Sequence, residues 1–365
     1  MTGDPERRPA PTPFGAYLHI PFCASRCDYC AFATWTDRAS LIEPYLRALR
    51  TEIERAVEAT LPAVTSVFVG GGTPSLVPAD GLVAALAALP LATGAEVTVE
   101  CNPDDVTAEL LAAYRAGGVN RISLGVQSMV PHVLELLGRR HDPTNVQRAV
   151  ELVRAAGFDT FNLDLIYGTV GESDADWSTT VGAALALEPP HVSAYGLTVE
   201  AGTPLSLTPE RYPDDDDQAE KYELADTRLA GAGLANYEIS NWALPGHECR
   251  HNLLYWSQGD YLGFGCAAHS HRSGRRWWNV RTPDRYIDLV AAGEPTEAAG
   301  EDLDDTTRRA EGLQLSLRTR DGVPVRALDV EALPGLVEER DGRAVLTRSG
   351  RLVANEIAVR LRDDG

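Results

Sequence analysis

Between residues 15 and 200 the chain alternates short β-like runs with amphipathic runs of helical period, and this alternation narrows the fold more than any other feature. Residues 15–20, 65–69, 95–100, 121–126, 160–167 and 191–197 are the predicted strands. The clearest helical pattern spans 41–58, with Ile42, Tyr45, Leu46, Leu49, Ile53, Ala56 and Val57 on one face and Ser40 with Glu43 as a predicted capping box. Another, 145–156, groups Val146, Ala149, Val150 and Val153. Repeated βα units demand a parallel sheet with right-handed crossovers. Six units are too few to close an eight-stranded barrel. The expected fold is therefore α/β, built on a partial (β/α)6 barrel.

A barrel of this kind carries its chemistry at the carboxyl ends of its strands. Cys23, Cys27 and Cys30 follow the first strand in the order C-x-x-x-C-x-x-C. Three thiolates can hold three irons of a [4Fe–4S] cubane and leave the fourth open to the amino and carboxylate groups of S-adenosylmethionine. One electron passed to the sulfonium would then release a 5′-deoxyadenosyl radical. Zinc is the rival reading, but a zinc ribbon wants four ligands and no second cysteine pair lies nearby. His19 is available as a fourth ligand, yet in a strand before the loop it reads more simply as packed or hydrogen-bonded. A disulfide would leave one cysteine over.

GGGTPS at 70–75 follows the second strand and exposes backbone polar groups that suit the ammonium of a small ligand. Glu100, Gln127, Arg139 and Asp164 fall near later strand ends. Singly each reads as a cap or a surface residue. Together, carboxylates for a ribose or ammonium and an arginine for a carboxylate fit a nucleoside amino-acid ligand. A second concentration begins at Cys249 and His251, runs through Tyr255, and continues with Tyr261, Cys266, His269 and His271. His251 reads equally as an axial haem ligand or as a satisfied core histidine. A zinc site from Cys249, His251, Cys266 and His269 is the weaker alternative.

The 33 basic and 53 acidic residues leave a net charge of −20, which disfavours a nucleic-acid partner outside local patches such as Arg139-Arg140 or 272–276. The acidic run 214–217 reads as a helix N-terminal cap. No run approaches the roughly 20 apolar residues of a membrane span. Six cysteines, three of them clustered, suit a reducing cytoplasm. Residues 1–14 read as a disordered, proline-rich leader, 15–200 as the barrel, 201–300 as an irregular region wrapped around it, and 301–365 as a small α/β, winged-helix-like domain.

YLHIPFC at 17–23 with Cys27 and Cys30, GGGTPS at 70–75, NRISLGVQS at 120–128 and NLDLIYG at 162–168 resemble the radical S-adenosylmethionine family of oxygen-independent coproporphyrinogen III oxidases. YEISN at 237–241 and CRHNLLYW at 249–256 resemble its HemW branch of haem chaperones. The resemblance implies a [4Fe–4S] cluster on Cys23, Cys27 and Cys30, and an S-adenosylmethionine pocket lined by Tyr17, Tyr29, Gly71, Gly72, Thr73, Glu100, Gln127, Arg139 and Asp164. It implies haem as bound cargo, with His251 and Tyr255 as candidate contacts, an unidentified haem-accepting protein and an electron donor for the cluster. The oxidases carry a further cysteine where this chain has Phe32, and a longer segment before the position of Tyr17. Coproporphyrinogen dehydrogenase activity is therefore expected to be absent or marginal, with oxidative decarboxylation as the alternative function. TVGE at 169–172 stands where the family more often has Leu-Pro-Gly-Gln.

Overall fold

A computed structural model describes residues 12–139 and 141–362. Most of the expected leader, 1–11, and Arg140 lie outside the described residues, while Phe14 already opens the first strand. The barrel runs β1 (Phe14–Ile20), α1 (Ile42–Glu58), β2 (Val64–Gly71), α2 (Ala79–Leu86), β3 (Leu91–Cys101), α3 (Ala108–Ala116), β4 (Arg121–Gln127), α4 (Pro131–Leu136), α5 (Thr144–Ala155), β5 (Thr160–Tyr167), α6 (Asp174–Ala186) and β6 (His191–Gly196). These six strands pair in sequence order, all parallel.

Alternation along each strand sorts its side chains onto two faces. Leu18, Ile20, Val67, Val69, Val97, Val99, Ile122, Leu124, Leu163 and Leu165 are buried in one continuous apolar core. Each such side chain contributes roughly 1.5–3 kcal/mol by leaving water. The alternate positions carry Tyr17, His19, Ser66, Thr98, Glu100, Arg121, Ser123, Asn162 and Asp164. The concave face is thus polar, and only a polar ligand or a hydrogen-bonded network can fill it.

The helix 41–58 forms as expected and buries Tyr45, Leu46, Leu49 and Ile53, but its capping box does not. A 3₁₀ turn at Ala39–Leu41 runs straight into α1, so Ser40 lies within that turn and Leu41 takes the cap position without a side-chain bond. At α6, by contrast, Ser173 and Asp176 form a complete capping box.

Residues 201–300 differ from expectation. They form α7 (Asp215–Gly231), β7 (Ala235–Glu238), β8 (Asn241–Ala243), α8 (Arg250–Trp256), β9 (Asp260–Phe264), β10 (His269–Arg272), β11 (Arg275–Asn279), α9 (Pro283–Ala292) and β12 (Glu297–Asp302). The acidic run caps α7 as read, with the Asp214 carboxylate accepting from the Asp217 amide. The new strands lengthen the sheet at both edges, in the order β12-β11-β10-β9-β1-β2-β3-β4-β5-β6-β8-β7. Strands of three to six residues carry too little alternation to be legible alone. They form because β1 and β6 would otherwise present open edges. Glu52 of α1 fastens one extension, accepting from the Gly265 amide at 2.8 Å and the Tyr286 hydroxyl at 2.7 Å.

The chain ends in α10 (Asp305–Leu317), β13 (Val323–Pro324), β14 (Val337–Arg340), β15 (Arg343–Leu346), α11 (Arg348–Leu352) and α12 (Ala354–Ala358). Its three strands form a separate antiparallel sheet over an apolar cluster that includes Leu317, Val323, Leu346 and Ile357. Among the described residues no helix is long and apolar enough to cross a membrane.

Candidate functional site

The three clustered cysteines occupy a loop at the carboxyl end of β1. Its two ends are tied together, Cys23 amide to Trp35 carbonyl at 3.1 Å and Trp35 amide to Pro21 carbonyl at 2.8 Å. Its middle is held from outside, where Asp28 pairs with Arg211 at 2.9 Å and its carbonyl accepts from the Leu205 amide at 3.0 Å. From beneath, His19 Nε2 donates to the Ala33 carbonyl at 2.9 Å, leaving Nδ1 to accept from the Tyr17 hydroxyl at 3.0 Å. Burial lowers the His19 pKa to about 4, so the ring is neutral and this tautomer is fixed. His19 is a strap for the loop, and both its nitrogens are committed.

All three cysteines are free thiols, half-buried. Thr73 Oγ1 donates to Cys23 Sγ at 3.6 Å, and Arg139 Nη1 to Cys27 Sγ at 3.6 Å. Burial raises the Cys23 and Cys30 thiols, and the charge of Cys27 adds to both. Thiolates crowded in this way favour a cationic centre between them, so the donor set fits an iron–sulfur cluster. A cavity of about 510 Å³, lined in part by Ala24, Arg26, Gly138 and Arg139, adjoins the loop. Among the described residues no three His, Cys, Asp or Glu side chains, those of the loop cysteines included, stand close enough to share one metal ion, so the cluster reading rests on three thiols that would each hold a different iron.

The glycine run packs against this loop. Gly72 and Thr73 donate their amides to the Ile20 and Phe22 carbonyls at 2.7 and 2.8 Å. A Cβ at Gly72 would stand 2.6 Å from the Phe22 carbonyl oxygen and 2.7 Å from that of Ile20. Steric exclusion of a ligand is therefore only part of what a side chain would do there. Gly72→Val is expected to displace the backbone leading into Cys23 and to lower cluster occupancy itself, read as iron and sulfide per chain after reconstitution. Full occupancy with only S-adenosylmethionine binding lost would contradict this.

The remaining candidates line the polar face or its rim. Glu100 Oε2 accepts from the Gly71 amide at 3.3 Å. Burial, then the charge of Asp164, pushes Glu100 up to about 8. Burial also raises Asp164, which accepts from Ser123 and Asn162 at 2.8 Å each. Two crowded carboxylates form a seat for a cation. Gln127 ends β4 in a left-handed conformation, φ 63°, a strained geometry for a residue with a side chain. Arg139 Nη2 donates to the Gly125 carbonyl at 2.7 Å, which sets the guanidinium between that strand and Cys27. Tyr29, on the loop, packs against an apolar group that includes Val133, Leu137 and Ile166. The roles of Asp28 and Arg211 carry no motif, because they act on each other across 183 positions, and His19, though it lies in the YLHIPFC run, reaches Ala33 by a bond that the run does not declare.

His251 and Tyr255 lie elsewhere. His251 is buried and exchanges hydrogen bonds with Ser66 Oγ at 3.0 Å through Nδ1 and with Tyr255 OH at 2.9 Å through Nε2. Burial lowers its pKa to about 3. Glu96 accepts the Arg250 and His251 amides at 3.1 and 3.0 Å, satisfying the first turn of α8. This helix closes the amino end of the barrel, where His247 bonds Thr160 at 2.9 Å. Ser66 and Gly70 are four residues apart on β2, about 13 Å at the rise of a parallel strand. In this structure both ring nitrogens of His251 are therefore engaged by Ser66 and Tyr255.

The Radical SAM superfamily matches residues 17–184. The chain is 44% identical over 365 residues to a protein of Mycobacterium tuberculosis named Heme chaperone HemW, covering 94% of each. It is 33% identical to the Bacillus subtilis protein of that name, covering 94% of this chain and 97% of the other. The solved coproporphyrinogen III oxidase HemN of Escherichia coli, a radical SAM enzyme, superposes with a TM-score of 0.82 over 96% of this chain and 90% of that one. At 21% identity that likeness establishes the fold. With near-complete coverage at these identities, and with the cysteine loop, glycine run and polar barrel face in place, the chain belongs to the HemW family of the radical SAM superfamily.

Proposed function

We propose that this chain binds haem and hands it to an acceptor protein, and that a [4Fe–4S] cluster and S-adenosylmethionine are needed for its competence. The observation that carries the reading is likeness along nearly the whole chain to proteins named heme chaperones. Phe32 supports it: the side chain is 63% exposed on the cysteine loop, where the oxidases carry a further cysteine. In this reading Cys23, Cys27 and Cys30 hold the cluster. Tyr17, Tyr29, Gly71, Gly72, Thr73, Gln127 and Arg139 bound the S-adenosylmethionine pocket, and Glu100 with Asp164 attracts its cationic groups. When bound, the cluster supplies a single electron and S-adenosylmethionine an acceptor for it. The protein's own part is to hold the loop closed, keep His19 neutral and present two carboxylates at a dry polar face. Residues 15–200 form the working barrel and 301–365 a small domain beside it.

Anaerobic reconstitution followed by haem titration and a coproporphyrinogen turnover assay on the same sample tests the reading. Stoichiometric haem binding with turnover absent or marginal is expected. Robust turnover, or rescue of a cell lacking its coproporphyrinogen oxidases, would move the assignment to the decarboxylase.

A further inference from the structure

A cleft of about 430 Å³ lies on the seam between the barrel and the small domain, within the range of roughly 300–1,000 Å³ usual for small-molecule sites. Its barrel wall is Ser257 and Gln258, between α8 and the amino end of β9. Since β9 runs parallel to β1, this is the end of the barrel opposite the cysteine loop. The facing wall is α10, and the small domain adds Arg326 and Arg362. The lining thus gathers four arginines, Arg308, Arg309, Arg326 and Arg362, against one carboxylate, Asp305. In a chain of net charge −20 such a gathering is a local feature and not a consequence of composition.

Two donors at this cleft are buried and unmatched. Arg308 Nε and Gln258 Nε2 have no hydrogen-bond partner. Both are donors only, so nothing but an acceptor can satisfy them. Buried donors left without one are uncommon in folded proteins. Glycines hold both side chains in place. A Cβ at Gly274, in the turn between β10 and β11, would stand 2.6 Å from Arg308 Cδ, and one at Gly312 of α10 would stand 3.3 Å from Gln258 Oε1. Gln258 is itself in the left-handed region, φ 54°, which costs a residue with a side chain. Strain and an unmatched amide on one residue mark a position kept for binding rather than for packing. Of the arginines, Arg362 pairs with Asp329 at 3.3 Å and Arg309 donates to the Thr306 hydroxyl at 3.3 Å. Arg308 and Arg326 have no acidic partner among the described residues.

We propose that this cleft binds a small molecule carrying linked phosphate groups, held by Arg308 and Arg326 with the Gln258 amide as a further donor. A guanidinium presents paired N–H donors that match phosphate oxygens two at a time. The two unpartnered arginines come from separate elements, α10 and the 3₁₀ turn Val325–Ala327, so a ligand that engages both needs more than one anionic group. Bound there, it would bridge the end of α8, α10 and the small domain. The site uses none of the groups assigned to the cluster or to S-adenosylmethionine, and it stands apart from the haem-carrier reading.

The test is calorimetric titration of inorganic pyrophosphate, ATP and citrate into the reconstituted full-length protein, with saturating S-adenosylmethionine present so that its own pocket is filled. The variants are Arg308→Met, which keeps an apolar stem over Gly274, Arg326→Ala and, as a control, Arg148→Ala on the exposed face of α5. Pyrophosphate and ATP are expected to bind once per chain and to raise the melting temperature, with citrate far weaker. Arg308→Met and Arg326→Ala should each bind about tenfold or more weakly while melting, without ligand, as the wild type does. Arg148→Ala should bind as the wild type. Should Arg308→Met fail to fold, Arg326→Ala, whose side chain is exposed, decides the matter alone. Equal affinity for pyrophosphate and ATP supports the site as one for the inorganic anion, and tighter ATP binding supports it as a nucleotide site. Wild-type affinity in the cleft variants, or an equal loss in Arg148→Ala, would overturn the site. Citrate binding as tightly as pyrophosphate would overturn its phosphate chemistry. A protein that binds none of the three overturns the proposal and leaves haem binding untouched.

Discussion

Alanine at Cys23, Cys27 or Cys30 is expected to abolish the broad iron–sulfur absorbance and the electron paramagnetic signal of the reconstituted protein, whereas alanine at Cys101, Cys249 or Cys266 is expected to preserve both. The difference follows from position. The first three share one loop with their thiols in mutual electrostatic contact, supported by Thr73 and Arg139. With three thiolates for three irons no donor is spare, so each exchange costs the whole cluster rather than a fraction of it. The other three are buried away from the loop. Cys249 Sγ faces Glu96 at 3.6 Å on the barrel floor, and Cys266 Sγ accepts from the Tyr45 hydroxyl at 3.7 Å. Losing either trims packing, with an effect on melting temperature and none on iron content. Unchanged iron and sulfide in all three loop variants would refute the assignment.

Glu100→Gln separates ligand binding from stability, with opposite signs. Glu100 has a folded-state pKa of about 8 against an ordinary 4.5. Between those values the folded protein holds a proton that the unfolded chain has lost, so stability falls as pH rises through the window, and the penalty is complete above about 8. Glutamine cannot ionise and escapes it. Cluster-free Glu100→Gln is therefore expected to melt increasingly above the wild type from pH 5 to pH 9. The same change removes the carboxylate that a bound cationic group would draw into its ionised form beside Asp164, so S-adenosylmethionine affinity should fall by an order of magnitude or more. Melting scans across pH and calorimetric titration of the reconstituted protein check the two halves. Parallel pH profiles for wild type and variant would show that Glu100 is not held in this strained state. This is the balance expected of a binding site that accepts instability while empty.

The six parallel strands and the cysteine loop are legible in the sequence because their signals are local. Alternation and helical period are read within ten or twenty residues, and CxxxCxxC spans eight positions. The end of the barrel that carries the candidate ligands follows from the same pattern, since each lies at or near the carboxyl end of its strand. The edge strands β7 to β12 are not legible. Each is too short to declare itself and exists because a neighbour's edge awaits pairing.

The same limit governs side chains. Sequence marks His251 by its motif, but whether a histidine is a ligand or a pin depends on what its two nitrogens meet, and Ser66 is 185 positions away. Composition and periodicity determined the barrel, its polar lining and the thiol loop. Only the tertiary structure decided which polar groups are already satisfied by one another and which are left free to bind, because hydrogen-bond partners are chosen by register and packing across the whole chain.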